Sequence, residues 1–158
     1  MYITKGIAGA ISFQEKLVET ASFLLMEKKV NNAGTLRYVL MEGERSTELF
    51  CKPIALRRLG KFVKDAYESQ NNKSARAFVI GAFDSARGTF LLCCFPARVP
   101  CEASSRNVFS QVLVDAATES HAKVSHEGFD DSLIEVQKED TKTFIEILSS
   151  LYQERTRP

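Results

Sequence analysis

Twice in this chain a short apolar strand runs through a corner into an amphipathic helix with a tyrosine near its end. The first instance is Leu49–Glu68, L-F-C-K-P-I-A-L-R-R-L-G-K-F-V-K-D-A-Y-E; the second is Leu133–Glu154, L-I-E-V-Q-K-E-D-T-K-T-F-I-E-I-L-S-S-L-Y-Q-E. What precedes each also matches in kind. Ser22–Arg45 holds S-F-L-L-M-E-K-K, a small Asn/Gly loop and T-L-R-Y-V-L-M-E-G, and Ala77–Arg98 holds A-F-V-I-G-A-F, a small loop and G-T-F-L-L-C-C-F. The chain therefore reads as an α+β domain of two ββββα repeats, 1–69 and 75–154, with antiparallel sheets packed on two helices. The polar stretch E-S-Q-N-N-K-S at Glu68–Ser74 links them.

In chain order, Tyr2–Phe13 has no helix cap and two glycines, and it reads as a strand. Gly6 and Gly9 would each cost about 1 kcal/mol inside a helix. Leu17, Val18, Ala21, Leu24 and Leu25 fit a helical stripe, whereas Ser22–Met26 fits a strand equally well. The parallel with Ala77–Phe83 favours a strand over about residues 20–30. Asn31–Gly34 is turn chemistry. Thr35–Glu42 alternates, with Leu36, Tyr38 and Leu40 on one face and Arg37, Val39 and Met41 on the other. Glu48–Lys52 reads as a short strand closed by Pro53, which suits the first position of a helix. That helix would bury Leu56, Leu59, Phe62, Val63 and Ala66 and expose Arg57, Arg58, Lys61 and Lys64. In the second half, Arg76–Phe83 and Thr89–Phe95 form a hairpin about Asp84–Gly88. Phe109–Ala117 and Leu133–Gln137 are the third and fourth strands, separated by a loop at Thr118–Asp131. Glu139 and Asp140 then stand where a helix N-terminus favours carboxylates.

A chain of 158 residues, 44% of them hydrophobic, can bury one sizeable core. No run reaches the roughly 20 apolar residues a membrane span needs, and neither a secretory leader nor a transit peptide is recognisable. Net charge is +1. Residues 1–69 carry 11 Lys/Arg against 8 Asp/Glu, and residues 70–158 carry 10 against 12. The first half is thus the better footprint for phosphate. Cys51, Cys93, Cys94 and Cys101 include no C-x-x-C pair, and neighbouring strand residues such as Cys93 and Cys94 point to opposite faces. Free thiols in a reducing compartment, with no metal site, are expected.

No nucleophile elbow, Walker loop, dinucleotide fingerprint or H-E-x-x-H occurs. His121 and His126, with Glu127, Asp130 and Asp131, share a loop whose spacing matches no EF-hand. Cys51 reads as an inert strand cysteine rather than a nucleophile. The expectation is a binding protein with no catalytic residues and no cofactor. Open sheets hold single strands when cations track phosphates and aromatic side chains meet bases. The candidates are Lys5, Lys28, Lys29, Arg37 and Lys52 from the first half and Arg76 and Arg87 from the second, with Tyr38 as the stacking residue and Tyr2 and Phe50 as further aromatics. Core packing competes for each aromatic. The cluster Arg57, Arg58, Lys61 and Lys64 reads as a plain solvent face.

Two copies of four strands and a helix resemble the layout of the plant Whirly single-stranded DNA-binding proteins. The kinetoplastid mitochondrial RNA-binding proteins share that fold, and the purine-rich-element-binding proteins use a related repeat. Whirly proteins carry K-G-K-A-A-L on the first strand; this chain has Y-I-T-K-G-I-A-G-A-I, with Lys5, Gly6 and Ala8 matching, Ile7 in place of the second lysine and Gly9 intruding. The departure favours the RNA-binding relatives. The resemblance implies a homo- or hetero-tetramer with a related subunit and no membrane. It further implies single-stranded RNA, or alternatively DNA, held across outward-facing sheets with little sequence specificity. RNA annealing in mitochondrial RNA editing would be the role. A protein-interaction subunit that binds no nucleic acid is the alternative, favoured by the acidic second half.

Overall fold

In the computed structural model, which describes residues 1–44, 46–71, 76–97, 104–125 and 132–156, the chain begins with a helix. Tyr2–Met26 is one continuous α-helix, α1. Leu17, Thr20, Ala21 and Leu24 form its buried stripe at helical spacing. It stops where Lys28 takes the left-handed conformation (φ 53°) and the Lys29 N–H reaches back to the Leu24 carbonyl at 2.9 Å. That backward bond is the usual way a left-handed residue closes a helix C-terminus.

Asn31–Ala33 (β1) turns at Gly34 (φ 52°) into Leu36–Met41 (β2), antiparallel to it. A Cβ on Gly34 would lie 2.7 Å from Ser149 Oγ, so the turn has room only for glycine. A 3-10 turn at Thr47–Phe50 leads to α2, Pro53–Asn71, with proline in its first position. Lys52 caps it through its carbonyl, which accepts the Leu56 N–H at 2.9 Å. Ala55, Leu56, Leu59 and Val63 are its buried residues. At Gly60 the helix comes so near the sheet that a Cβ would lie 2.6 Å from both Ile80 and Phe95.

After this crossover Ala77–Asp84 (β3) pairs parallel with β2, and Thr89–Phe95 (β4) folds back antiparallel on β3. Asp84 shapes the hairpin turn by accepting the Ala86 N–H at 2.9 Å through its carboxylate. Ser104–Glu119 is α3, Val124–Ser125 is β5, Leu133–Gln137 is β6 and Thr141–Thr156 is α4. The six strands among the described residues form one mixed sheet in the order β1-β2-β3-β4-β6-β5. Strand alternation splits the core in two. Val39, Met41, Phe78, Ile80 and Cys93 meet α1 and α2 on one face. Leu36, Val79, Leu92, Cys94 and Ile134 meet α3 and α4 on the other. α3 locks onto α4 by the edge-to-face contact of Phe109 and Tyr152 at 5.1 Å.

The expected two ββββα repeats with antiparallel sheets are therefore corrected to one mixed sheet between two helical layers. Tyr2–Phe13 and residues 20–30, both read as strands, are helix except for the last few residues. The glycine penalty is local, while the Leu17–Leu24 stripe anchors the whole element. Phe109–Ala117 is also helical, because Phe109, Val112, Leu113 and Ala116 are buried at i, i+3, i+4 and i+7. Glu48–Lys52 is the 3-10 turn, its Cys51 N–H bonded to the Glu48 carbonyl rather than to a neighbouring strand.

Candidate protein-interaction surface

The structure scatters the expected nucleic-acid contacts instead of gathering them. Lys5 is exposed on the first turns of α1, and Lys28 and Lys29 are exposed just after its end. Lys28 has a backbone role, as the left-handed residue that ends the helix. Arg37 and Tyr38 point to opposite faces of β2. Arg37 is only 3% exposed, beneath α2, with its guanidinium 5.2 Å from the Tyr67 ring centre. Tyr38 packs against the cluster under α3 and α4. Lys52 is exposed at the α2 cap, and Arg76, exposed before β3, reaches the Gly34 carbonyl at 3.5 Å. Arg87 sits in the β3–β4 turn and pairs with Glu135 at 3.3 Å. Phe50 is fully buried and Tyr2 is exposed. Helices cover both faces of the sheet, so the open platform that a single strand would lie across is absent from the described residues.

Two of the basic residues are committed inside the fold. Glu68 lies 3.1 Å from Lys64 and 3.9 Å from Arg37, and both cations are buried. Such a carboxylate keeps two charges compensated where water cannot. The thiols are equally occupied with structure. Burial pushes the Cys93 thiol up to about 11, partly offset by the Arg57 guanidinium. Burial also raises Cys94 and Cys51, whose thiol donates to the carbonyls of Thr47 and Phe83, each at 3.4 Å. None is poised as a thiolate at neutral pH. His121 occupies a turn with φ 50°, while His126, Glu127, Asp130, Asp131 and Cys101 lie outside the described residues. Among the described residues no group of three or more His, Cys, Asp or Glu side chains could hold a metal. No described helix is long and apolar enough to cross a membrane.

What the structure does assemble is a helix surface. Residues 1–12 are all exposed, and Phe13 is the first residue of α1 to meet the core, 6.2 Å from the Phe50 ring. On this projecting half Ile3, Ile7 and Ile11 are 79%, 56% and 55% exposed. Spaced four residues apart, they stand one above another on one side of the helix. Nothing lies within 4 Å of a Cβ built on Gly6 or Gly9. A soluble surface carries scattered apolar side chains as a matter of course, but an aligned series on a helix with one charged side chain in its first thirteen residues marks a contact surface. The period-four isoleucines were the signal for it. A strand also keeps Ile3, Ile7 and Ile11 on one face but spaces them about 13 Å apart with Lys5 and Gly9 between them, so reading Tyr2–Phe13 as a strand hides the compact ridge that a helix makes.

Fold and surface together define a three-layer α/β/α module with a mixed sheet, whose exposed chemistry is an apolar helix. The family model for CDC45 matches residues 1–151, and the chain belongs to the CDC45 family. It is 27% identical over 148 residues to the Cell division control protein 45 homolog of Dictyostelium discoideum, covering 94% of this chain and 23% of that one. It is 24% identical over 154 residues to Cell division control protein 45 of Saccharomyces cerevisiae, covering 93% and 24%. The chain thus spans about a quarter of the length of these relatives. The crystal structure of CDC45 from Entamoeba histolytica superimposes with a TM-score of 0.74 at 21% identity, over 94% of this chain and 29% of that one.

Membership in this family overturns the Whirly resemblance, which rested on K-G-I-A and on a repeat that the sheet does not contain. The expectations derived from it fall together: binding of single-stranded RNA or Whirly-type DNA binding, annealing in RNA editing, a tetramer with a related subunit, and the mitochondrion.

Proposed function

We propose that this chain is a non-catalytic module of a CDC45-type DNA replication initiation factor, acting in the nucleus by protein contact. In this reading the projecting half of α1 seats the module on the remainder of a CDC45-type protein. The observation that carries it is the exposed Ile3, Ile7, Ile11 series, which lies inside the region matched to the family. The relatives hold about three-quarters of their length beyond the matched part, so partner surface for the helix exists within the same kind of protein. Burying the three side chains is worth about 1.5–3 kcal/mol each, enough for a tethered contact.

The test replaces the matched quarter of the Saccharomyces cerevisiae relative with this chain. Amide exchange at residues 3–11 is expected to be at least tenfold slower in the chimaera than in the isolated chain. Ile7→Glu with Ile11→Glu should remove that protection and the chimaera's ability to support DNA synthesis. Equal exchange in both contexts would sink the proposal.

A further inference from the structure

A second surface lies beside the root of α1. Residues 51–64 hold five basic side chains and no acidic one. The fold separates these five. Lys64 is buried with Glu68, and Arg57 spans to Ser132 Oγ at 2.8 Å. Lys52, Arg58 and Lys61 stay exposed, and among the described residues none of the three meets a carboxylate. They are not spread over a plain solvent face. Ile54, Arg58, Lys61 and Phe62 follow one another at i, i+4, i+7 and i+8, on one side of α2. Ile54 is 77% exposed and Phe62 41% exposed, so the outer side of this helix alternates uncovered apolar bulk with uncompensated positive charge.

The same side opens into a concavity of about 740 Å³ between α1 and the start of α2. Phe13, Leu49, Ile54 and Ala55 line it, Lys52 and Arg58 stand among them, and among the described residues no acidic one does. That volume lies in the range of sites that hold a few bulky side chains or a small ligand. An apolar trough with cations at its rim is complementary to a segment that offers apolar anchors flanked by carboxylates, and charge of one sign at the rim selects that partner over its basic counterpart.

We propose that this trough docks an acidic, amphipathic peptide segment of another protein: apolar side chains enter between Phe13 and Ile54, and carboxylates face Lys52, Arg58 and Lys61. The site is separate from the isoleucine series of α1 and does not depend on that series being covered. Nucleic acid fits less well. Three cations neutralise few phosphates, and the aromatics at hand are a half-buried Phe13 packed near Phe50 and the single exposed ring of Phe62, not a series of open rings on which successive bases stack.

The experiment selects from a displayed library of random 16-residue peptides on the full 158-residue chain, with a (dT)30 oligonucleotide titrated in parallel. The enriched peptides are expected to combine an excess of Asp/Glu with at least two bulky apolar residues. They should bind Ile54→Glu/Arg58→Glu at least tenfold more weakly and Ile7→Glu unchanged. Arg58→Glu alone repeats the comparison with the apolar surface intact, and circular dichroism confirms that each variant is folded. An enriched set without acidic bias, equal binding to the variants, or no enrichment overturns the proposal. So does (dT)30 binding that Arg58→Glu weakens and Ile54→Ala leaves unchanged, which assigns the cations to phosphate.

Discussion

Glu68 answers for two cations at once. With Lys64 at 3.1 Å and Arg37 at 3.9 Å, it is the carboxylate that makes a buried lysine and a buried arginine tolerable beneath the end of α2. The three charges are unequal in consequence. Removing Glu68 takes away a carboxylate that two buried cations share; removing Arg37 leaves a paired lysine and carboxylate behind. Breaking a buried pair by deleting one partner costs about 3–5 kcal/mol; Glu68→Ala deletes the partner that two cations share, whereas Arg37→Met leaves Glu68 still paired with Lys64. Glu68→Ala should therefore lower the unfolding free energy by about 3 kcal/mol, and Arg37→Met by less than half of that. Urea denaturation followed by far-UV circular dichroism measures both; equal losses would show that the arginine is held by Tyr67 and the sheet rather than by the carboxylate.

Among the elements, α2 does the most positioning, and Gly60 is where it touches the sheet. In an exposed helix Gly→Ala gains about 1 kcal/mol. Here the new Cβ would lie 2.6 Å from Ile80, a stiff β-branched side chain, and 2.6 Å from Phe95. Overpacking of this kind costs about 1–3 kcal/mol, so Gly60→Ala should lower the thermal midpoint rather than raise it, as calorimetry would show. The same element was readable in the sequence: Pro53 starts it, and Leu56, Leu59 and Val63 lie on its buried side, although Phe62, placed in that stripe, is turned outwards. β2, the β3–β4 hairpin, β6 and the last helix were readable too, because alternation or a clean period marks each. α1 and α3 were not. In α1 two glycines argued locally against a helix that distant packing at Leu17–Leu24 secures. In α3 the run F-S-Q-V-L-V-D-A-A satisfies both periods over its short length. The expected contact set disperses with the fold: Arg37 and Tyr38 lie on opposite faces of β2, Arg37 beneath α2 and Tyr38 against the cluster under α3 and α4. A tally of positive charges likewise could not tell that Lys64 is buried while Arg58, among the described residues, meets no carboxylate.

At the scale of the whole molecule, the sheet divides two cores, and adjacent cysteines on β4 enter one each, Cys93 towards α1 and α2 and Cys94 towards α3 and α4. Unfolding releases both thiols to water. The Cys93 thiol ionises near 9.0 when free and near 11 in the fold, so the folded state keeps the proton longer. Its contribution is whole below pH 9 and is lost as pH rises from 9 to 11. Each unit is worth about 1.4 kcal/mol, so urea midpoints should fall between pH 9 and 11, and Cys93→Ala should flatten that fall; an unchanged slope would assign it to other groups. The long first helix has a further consequence of its own. At about 1.5 Å per residue its eleven exposed residues ahead of Phe13 extend about 16 Å from the core. Because no break separates them from Leu17, Ala21 and Leu24, the tip and the sheet share one rotational phase. One residue added at the root would swing the isoleucines about 100° around the axis. Whatever grips that tip therefore fixes the heading of the entire sheet as well as its distance, as a keyed shaft fixes a wheel.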